Sequence, residues 1–147
     1  MKLVDDRIAE NFKLSEFANT LDGGAVLLNP DVIVFVQMLQ EFRSWYRRPM
    51  RITSGYRTKE FNRRIGGASN SYHLVGLAAD FLLPGEFAGF TSVRRNEFLG
   101  NVRSKWETIC FEHGKYSSVI YYDTFVHLSL WPTWRFEDRR VRGIRGT

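Results

Sequence analysis

One stretch constrains the fold more than any other: Ser71-Tyr72-His73-Leu74-Val75-Gly76-Leu77-Ala78-Ala79-Asp80, running on into the apolar Phe81-Leu82-Leu83. His73 and Asp80 lie seven residues apart. On one helix that is two turns, about 10 Å along the axis, too far for two side chains to share an ion. Gly76 inside the stretch also argues against a helix. A loop that turns back at Gly76 and feeds a buried strand brings both side chains to one point. A second polar position in an apolar run, His127 in Phe125-Val126-His127-Leu128, can close that point from a neighbouring strand. Two imidazoles and a carboxylate suit divalent zinc with a fourth position left open. The plainer reading is a loop histidine, a capping aspartate and a core histidine. The chain has three histidines, and His113, near the end of a helical pattern, suits that helix's C-terminus.

The remaining segments build a scaffold around this stretch. Residues 1–28 read as an irregular lead-in, with Phe12, Leu14 and Phe17 buried in a short docking segment. Asn29-Pro30-Asp31 is a helix start: a capping side chain, a proline for the first turn and an acid facing the helix dipole. Val32, Phe35, Val36, Leu39, Phe42 and Tyr46 then recur at three- and four-residue steps, and Arg47-Arg48-Pro49 stops the run. Met50–Thr53 reads as a short strand, Ser54–Arg57 as the turn leaving it, and Thr58 as the cap of a short helix carrying Phe61 and Ile65 up to Gly66-Gly67. Ala78–Leu83 reads as a buried strand. A second long helix is predicted from Thr91 or Ser92 to about His113, with Phe98, Val102, Trp106, Ile109 and Cys110 on its apolar face and Gly114 as its stop. Residues 117–122 and 125–130 read as the arms of a tight hairpin. From Trp131 the chain is rich in Trp and Arg.

A chain of 147 residues fits one domain spanning 1–147. Its 44% hydrophobic and 25% charged residues are ordinary for a globular protein. The single cysteine, Cys110, excludes an intramolecular disulfide and reads as a small buried hydrophobe. The formal charge of +5 suits an anionic polymer, whether cell wall or nucleic acid. Met1–Arg7 lacks the apolar core of a secretory signal, and no run approaches a membrane span. The expectation is synthesis in a cytoplasm, with delivery by another factor if the substrate lies outside.

The ordered set Ser54-Gly55-Tyr56-Arg57-Thr58, Gly66-Gly67-Ala68-Ser69, Ser71-x-His73-x-x-Gly76-x-Ala78-x-Asp80 and Phe125-Val126-His127 resembles the zinc D-alanyl-D-alanine carboxypeptidases. That family includes carboxypeptidases and dipeptidases of peptidoglycan metabolism and related phage endolysins. The match is colinear over roughly Phe12 to Leu130. The resemblance implies a small α+β fold, with an antiparallel sheet holding the metal and helices packed on it. It implies one Zn2+ per chain on His73, Asp80 and His127. Arg57 would polarise the scissile carbonyl and stabilise the oxyanion. Ser71 would sit beside the metal and help hold substrate or Arg57, and Tyr56 could line the cleft.

The proton carrier is the weakest part of the pattern. In the family it resembles, many members carry an acid three residues before the last histidine, and those of the same branch often carry another two residues after it. Here those positions are Thr124 and Ser129. Asp123, at the hairpin turn, is the candidate base, and its plain reading is an ordinary turn aspartate. The reading is therefore a zinc peptidase acting on peptidoglycan stem peptides; a monomer is the expectation, the oligomeric state is not read from the sequence, and a phage or prophage origin is expected, with a bacterial housekeeping role as the alternative. One rival is a zinc-stabilised wall-binding module with impaired catalysis, motivated by the two missing acids. Another is a nucleic-acid binder working through the basic tail; the ordered motif makes nucleic acid the least expected partner.

Overall fold

The computed structural model describes residues 7–18 and 26–131. The Trp/Arg-rich tail beyond Trp131 lies outside the described residues. In chain order the elements are β1 (Arg7–Ala9), β2 (Phe12–Lys13), α1 (Pro30–Tyr46), β3 (Ile52–Ser54), α2 (Lys59–Arg64), β4 (Ala78–Leu82), α3 (Ser92–Glu112), β5 (Tyr116–Tyr121) and β6 (Phe125–Trp131). Single 3₁₀ turns lie at Leu14–Phe17, Tyr72–Val75 and Gly85–Gly89. Four strands form one antiparallel sheet in the order β3-β4-β6-β5.

The helices start and stop where their local chemistry dictates. The Asn29 side chain accepts from the Val32 N–H at 2.9 Å, with Pro30 inside the first turn. Arg47 ends α1 in the left-handed region at φ 57°, its N–H donating to the Arg43 carbonyl. Thr58 caps α2 by accepting from Phe61 N, and Thr91 caps α3 by accepting from Arg94 N. Gly114, at φ 69°, terminates α3, and Lys115 N donates back to the Cys110 carbonyl at 2.8 Å. The expected bounds of the two long helices and the hairpin hold to within a residue or two.

The core lies between α1, α3 and one face of the sheet. Val32, Phe35, Val36, Met38, Leu39, Phe42 and Tyr46 are the buried face of α1. Opposite them stand Ala79 and Phe81 of β4, Val126 and Leu128 of β6 and Val119 of β5, all buried. Phe42 is the hub, with ring centroids 5.8 Å from Phe81 and 6.3 Å from Trp106. Trp106 is fully buried, and its indole N–H donates to the Ser129 carbonyl at 2.9 Å, so burial leaves no donor unsatisfied there. Cys110 is buried in the same layer, which pushes its thiol up. This fits the inert hydrophobe read from sequence. His113 at the end of α3 lies 2.7 Å from Glu41 of α1, tying the two helices together.

Two expectations need correction. The lead-in is not wholly irregular: β1 and β2 pair as a small antiparallel sheet, with a register shift between Arg7 and Ala9. Strands of three and two residues are too short to show an alternating pattern in sequence. Phe12 and Phe17 are buried as expected, but Leu14 is only partly so. At the C-cap of α2, Ile65 is exposed, and the one buried residue of the helix is Asn62. A polar side chain therefore anchors that helix, for a reason the site explains.

Candidate metal centre

Gly76 makes the central reversal possible. The 3₁₀ turn Tyr72–Val75 begins at Ser71, whose Oγ accepts from the His73 N–H at 3.2 Å. It ends at Gly76, at φ 72°, where a Cβ would stand 2.8 Å from a Val32 methyl. Both the backbone conformation and the packing on α1 require glycine there. Leu77 N then closes the loop onto the Tyr72 carbonyl at 3.0 Å, and β4 begins. The chain has reversed between His73 and Asp80, as the glycine inside that stretch suggested.

Register completes the site. Asp80 pairs directly with His127 across β4 and β6, with Phe81↔Val126 and Ala79↔Leu128 on either side. Side chains alternate along a strand, so Asp80 and His127 share the face opposite the core. One ligand atom each from His73, Asp80 and His127 lies within 4.8 Å of the others, and all three residues are buried. His73 Nε2 is 3.2 Å and His127 Nδ1 2.9 Å from the same oxygen, Asp80 Oδ1. Ligands in a tetrahedral zinc shell with bonds near 2.1 Å would stand about 3.4 Å apart.

The protonation of His73 supports a cation at this point. Its Nδ1 lies 2.6 Å from the Gly55 carbonyl, and a carbonyl can only accept, so Nδ1 carries the hydrogen. In a neutral ring Nε2 then presents a lone pair toward the Asp80 carboxylate. Two acceptors face each other unless a proton or a cation lies between them. A histidine that donates one nitrogen to a backbone carbonyl and offers the other is the usual arrangement of a metal ligand. The residues therefore fit a divalent metal held by His73 Nε2, His127 Nδ1 and an Asp80 oxygen. Burial opposes ionisation of Asp80, but hydrogen bonds and charge from His127 and His73 outweigh it and hold the carboxyl well below the usual range.

Arg57 is the fourth member of the group. Its backbone N–H donates to the His73 carbonyl at 2.9 Å. Its guanidinium is fixed at three points: Nε donates to Ser54 Oγ at 3.2 Å, Nη1 donates to Asn62 Oδ1 at 3.2 Å, and Nη2 lies 3.5 Å from Asp80 Oδ2. Partial burial lowers its pKa, while Asp80 and the Tyr122 phenol raise it. An arginine keeps its charge under such a shift. Asp80 thus turns one oxygen to the histidines and the other to the guanidinium.

Sequence reasoning missed Ser54, Gly55 and Asn62. Asn62 is 3% exposed, and its Nδ2 donates to the Ala68 carbonyl at 2.9 Å, which fixes Oδ1 toward Arg57. Gly55 brings its carbonyl to His73 because the chain there lies against the lead-in. A Cβ on it would come 2.7 Å from Phe17 Cα, and Tyr56 N donates to the Phe17 carbonyl. The available signal was a polar residue at the centre of a short amphipathic helix, beside a turn already holding Arg57.

The other named candidates are placed differently. Ser71 caps the turn that carries His73, while Ser54 and Asn62 hold the Arg57 guanidinium. Tyr56 is half-buried beside the site. Asp123 is exposed at the hairpin tip and lines a separate hollow with Leu82, Pro84, Phe87 and Arg95. Among the described residues, the metal-binding group contains no carboxylate besides Asp80. Ser129 is fully buried on the face of β6 that carries His127.

A single α+β domain in which one sheet face presents a buried His–Asp–His set, with a fixed arginine alongside, defines the metallopeptidase class. A comparison with family profiles agrees: Peptidase M15 matches residues 10–129. The chain belongs to the M15 peptidase family, and the resemblance read from its motifs is that family's. No curated protein matches the chain significantly. No solved structure does so either.

Proposed function

We propose that this protein is a zinc-dependent peptidase that hydrolyses peptidoglycan stem peptides, either as a D-Ala-D-Ala carboxypeptidase or as a related wall endopeptidase. The observation that carries the reading is the convergence of His73, Asp80 and His127 on one point, with the Arg57 guanidinium locked beside it. One zinc ion per chain would supply Lewis acidity to the scissile carbonyl and the attacking water.

The chain's own residues do the rest. Asp80 and the two histidines would hold the metal in a buried, preformed cradle. The Gly55 carbonyl keeps His73 in the tautomer that leaves Nε2 free. Arg57 faces the place where negative charge develops, and because it is fixed beforehand it needs no reorganisation in the transition state. Asp123 is assigned the proton transfer from water to the leaving amine. Asp123 stands at the exposed hairpin tip, so this role requires the turn at residues 122–124 to be displaced toward the centre. Tyr56 and Ser71 border the peptide's path.

The absence of a second acid from the metal-binding group, among the described residues, favours one alternative. In that reading the same site binds zinc and wall peptides without turnover.

Metal analysis of the purified protein, followed by mass spectrometry of muropeptides incubated with and without chelator, decides between them. One zinc per chain and a chelator-sensitive product would establish the peptidase and identify the bond. Zinc without product across a full muropeptide panel would establish the binding module. Failure to take up metal after reconstitution would overturn both.

A further inference from the structure

Beside the metal centre, on the far side of Asn62, lies a second hollow of about 220 Å³, lined by Lys59, Asn62, Arg63, Gly67, Ser69 and Leu74. Asn62 forms the wall between hollow and centre: the side chain that lines this hollow accepts from Arg57. Leu74 directly follows His73, so the hollow opens one residue from a proposed metal ligand. Its volume is below the roughly 300–1,000 Å³ of sites that enclose a whole small molecule. It suits one substituent of a longer substrate.

Most of the lining surface is apolar, and the charged residues on it, Lys59 and Arg63, are exposed cations. Lys59 and Arg63 stand one turn apart on α2, and like charges at that spacing repel. Neither side chain makes a hydrogen bond or an ion pair among the described residues. The acid of the same helix, Glu60, is paired with Arg64 at 3.3 Å instead. No carboxylate lines the hollow, and Ser69 adds a hydroxyl. Two exposed cations without side-chain partners and a hydroxyl at the edge of a small concavity suit one anionic group, and an anion there would relieve the repulsion.

We infer that the Lys59–Arg63 hollow is a specificity subsite that takes a free carboxylate of the substrate peptide, next to the scissile bond. The inference rests on the peptidase reading for the substrate's identity but not for the binding itself. A lysine-type stem peptide carries two such groups: the α-carboxylate of its D-glutamyl unit and its C-terminal carboxylate. Either is the chemistry the hollow recognises.

The test uses the zinc-loaded protein and its Lys59→Gln/Arg63→Gln variant, with three probes: the stem pentapeptide, its D-isoglutamine form and its C-terminal amide. In the native protein, one of the two amides should raise KM about tenfold with little change in kcat. The variant should show that higher KM for the parent peptide and no longer distinguish the amide. The amide that matters identifies the carboxylate. Equal handling of all three peptides by the native protein, or a preference that survives in the variant, overturns the subsite. Binding is read separately, by amide chemical-shift changes at Lys59, Arg63 and Ser69 on titration with the parent peptide. Salt-sensitive shifts that vanish in the variant support the subsite even if no peptide is cut, in which case only the peptidase reading fails. Absence of shifts in the native protein at millimolar peptide overturns the subsite even if cleavage proceeds.

Discussion

The two faces of β4 and β6 come from alternate residues of the same two strands, yet opposite physics holds them. On one face, Phe81, Val126 and Leu128 are completely buried against the aromatic hub of Phe42 and Trp106. That face is stabilised by area removed from water, and many contacts share the load. On the other face, Asp80 and His127 are nearly as buried but polar, and they depend on a few specific partners: Asp80 meets His73, His127 and Arg57. The register Asp80↔His127 serves both faces at once, because a slip of one residue would send the aromatics to the site and the ligands into the core. The core therefore fixes the geometry that the metal centre uses.

The sharpest break of this comparison is Asp80→Ala. Zinc uptake and hydrolysis should both fall below detection, with circular dichroism unchanged, since the substitution leaves the core face intact. Metal analysis of the folded variant checks it. A variant that keeps a full equivalent of zinc would show that the carboxylate is not a ligand.

Trp106→Ala attacks the other face. It should cost about 3–5 kcal/mol of stability, read as a lowered denaturant midpoint. The molecules still folded should bind zinc normally if the core acts on the site only by setting the register.

Arg57→Ala should lower kcat by about 10²–10³, the usual cost of losing one group that stabilises developing charge, with zinc content unchanged. Asn62→Ala, which frees the guanidinium without removing it, should lower kcat by up to about a hundredfold. Steady-state kinetics on any peptide the native protein cuts would rank the two. A larger loss from the asparagine would mean that Asn62 does more than position Arg57.

The smallest effect is in acid. The Asp80 carboxyl is held below its unfolded value, so its contribution to stability is present above about pH 4, the ordinary carboxylate pKa. That contribution is lost as pH falls through the depressed folded value. The metal-free protein should therefore lose stability below about pH 4 more steeply than its Asp80→Asn variant. Parallel denaturation curves from pH 5 to 2.5 would show the difference, and identical slopes would mean the histidine bonds do not favour the carboxylate.

Much of this molecule is local and therefore legible from the chain alone. Asn29-Pro30, Thr58, Thr91 and Gly114 bound their helices by bonds to residues only a few positions away. The apolar steps of α1 and the paired arms of β5 and β6 follow from side-chain periodicity. Gly76 announced the reversal because its conformation is a property of one residue. His73, Asp80, His127 and Arg57 stood out because few residue types have that chemistry and because their order resembled a family's. The contacts of long sequence separation were decided only in three dimensions: the Gly55 carbonyl that sets the His73 tautomer, the Phe17 backbone that presses Gly55 into place, and Asn62 turned inward on a helix where Ile65 turns out. Placement of Asp123 away from the metal ligands belongs with them. Each depends on where the core sets one backbone against another, and no short-range pattern of polar and apolar residues encodes that distance.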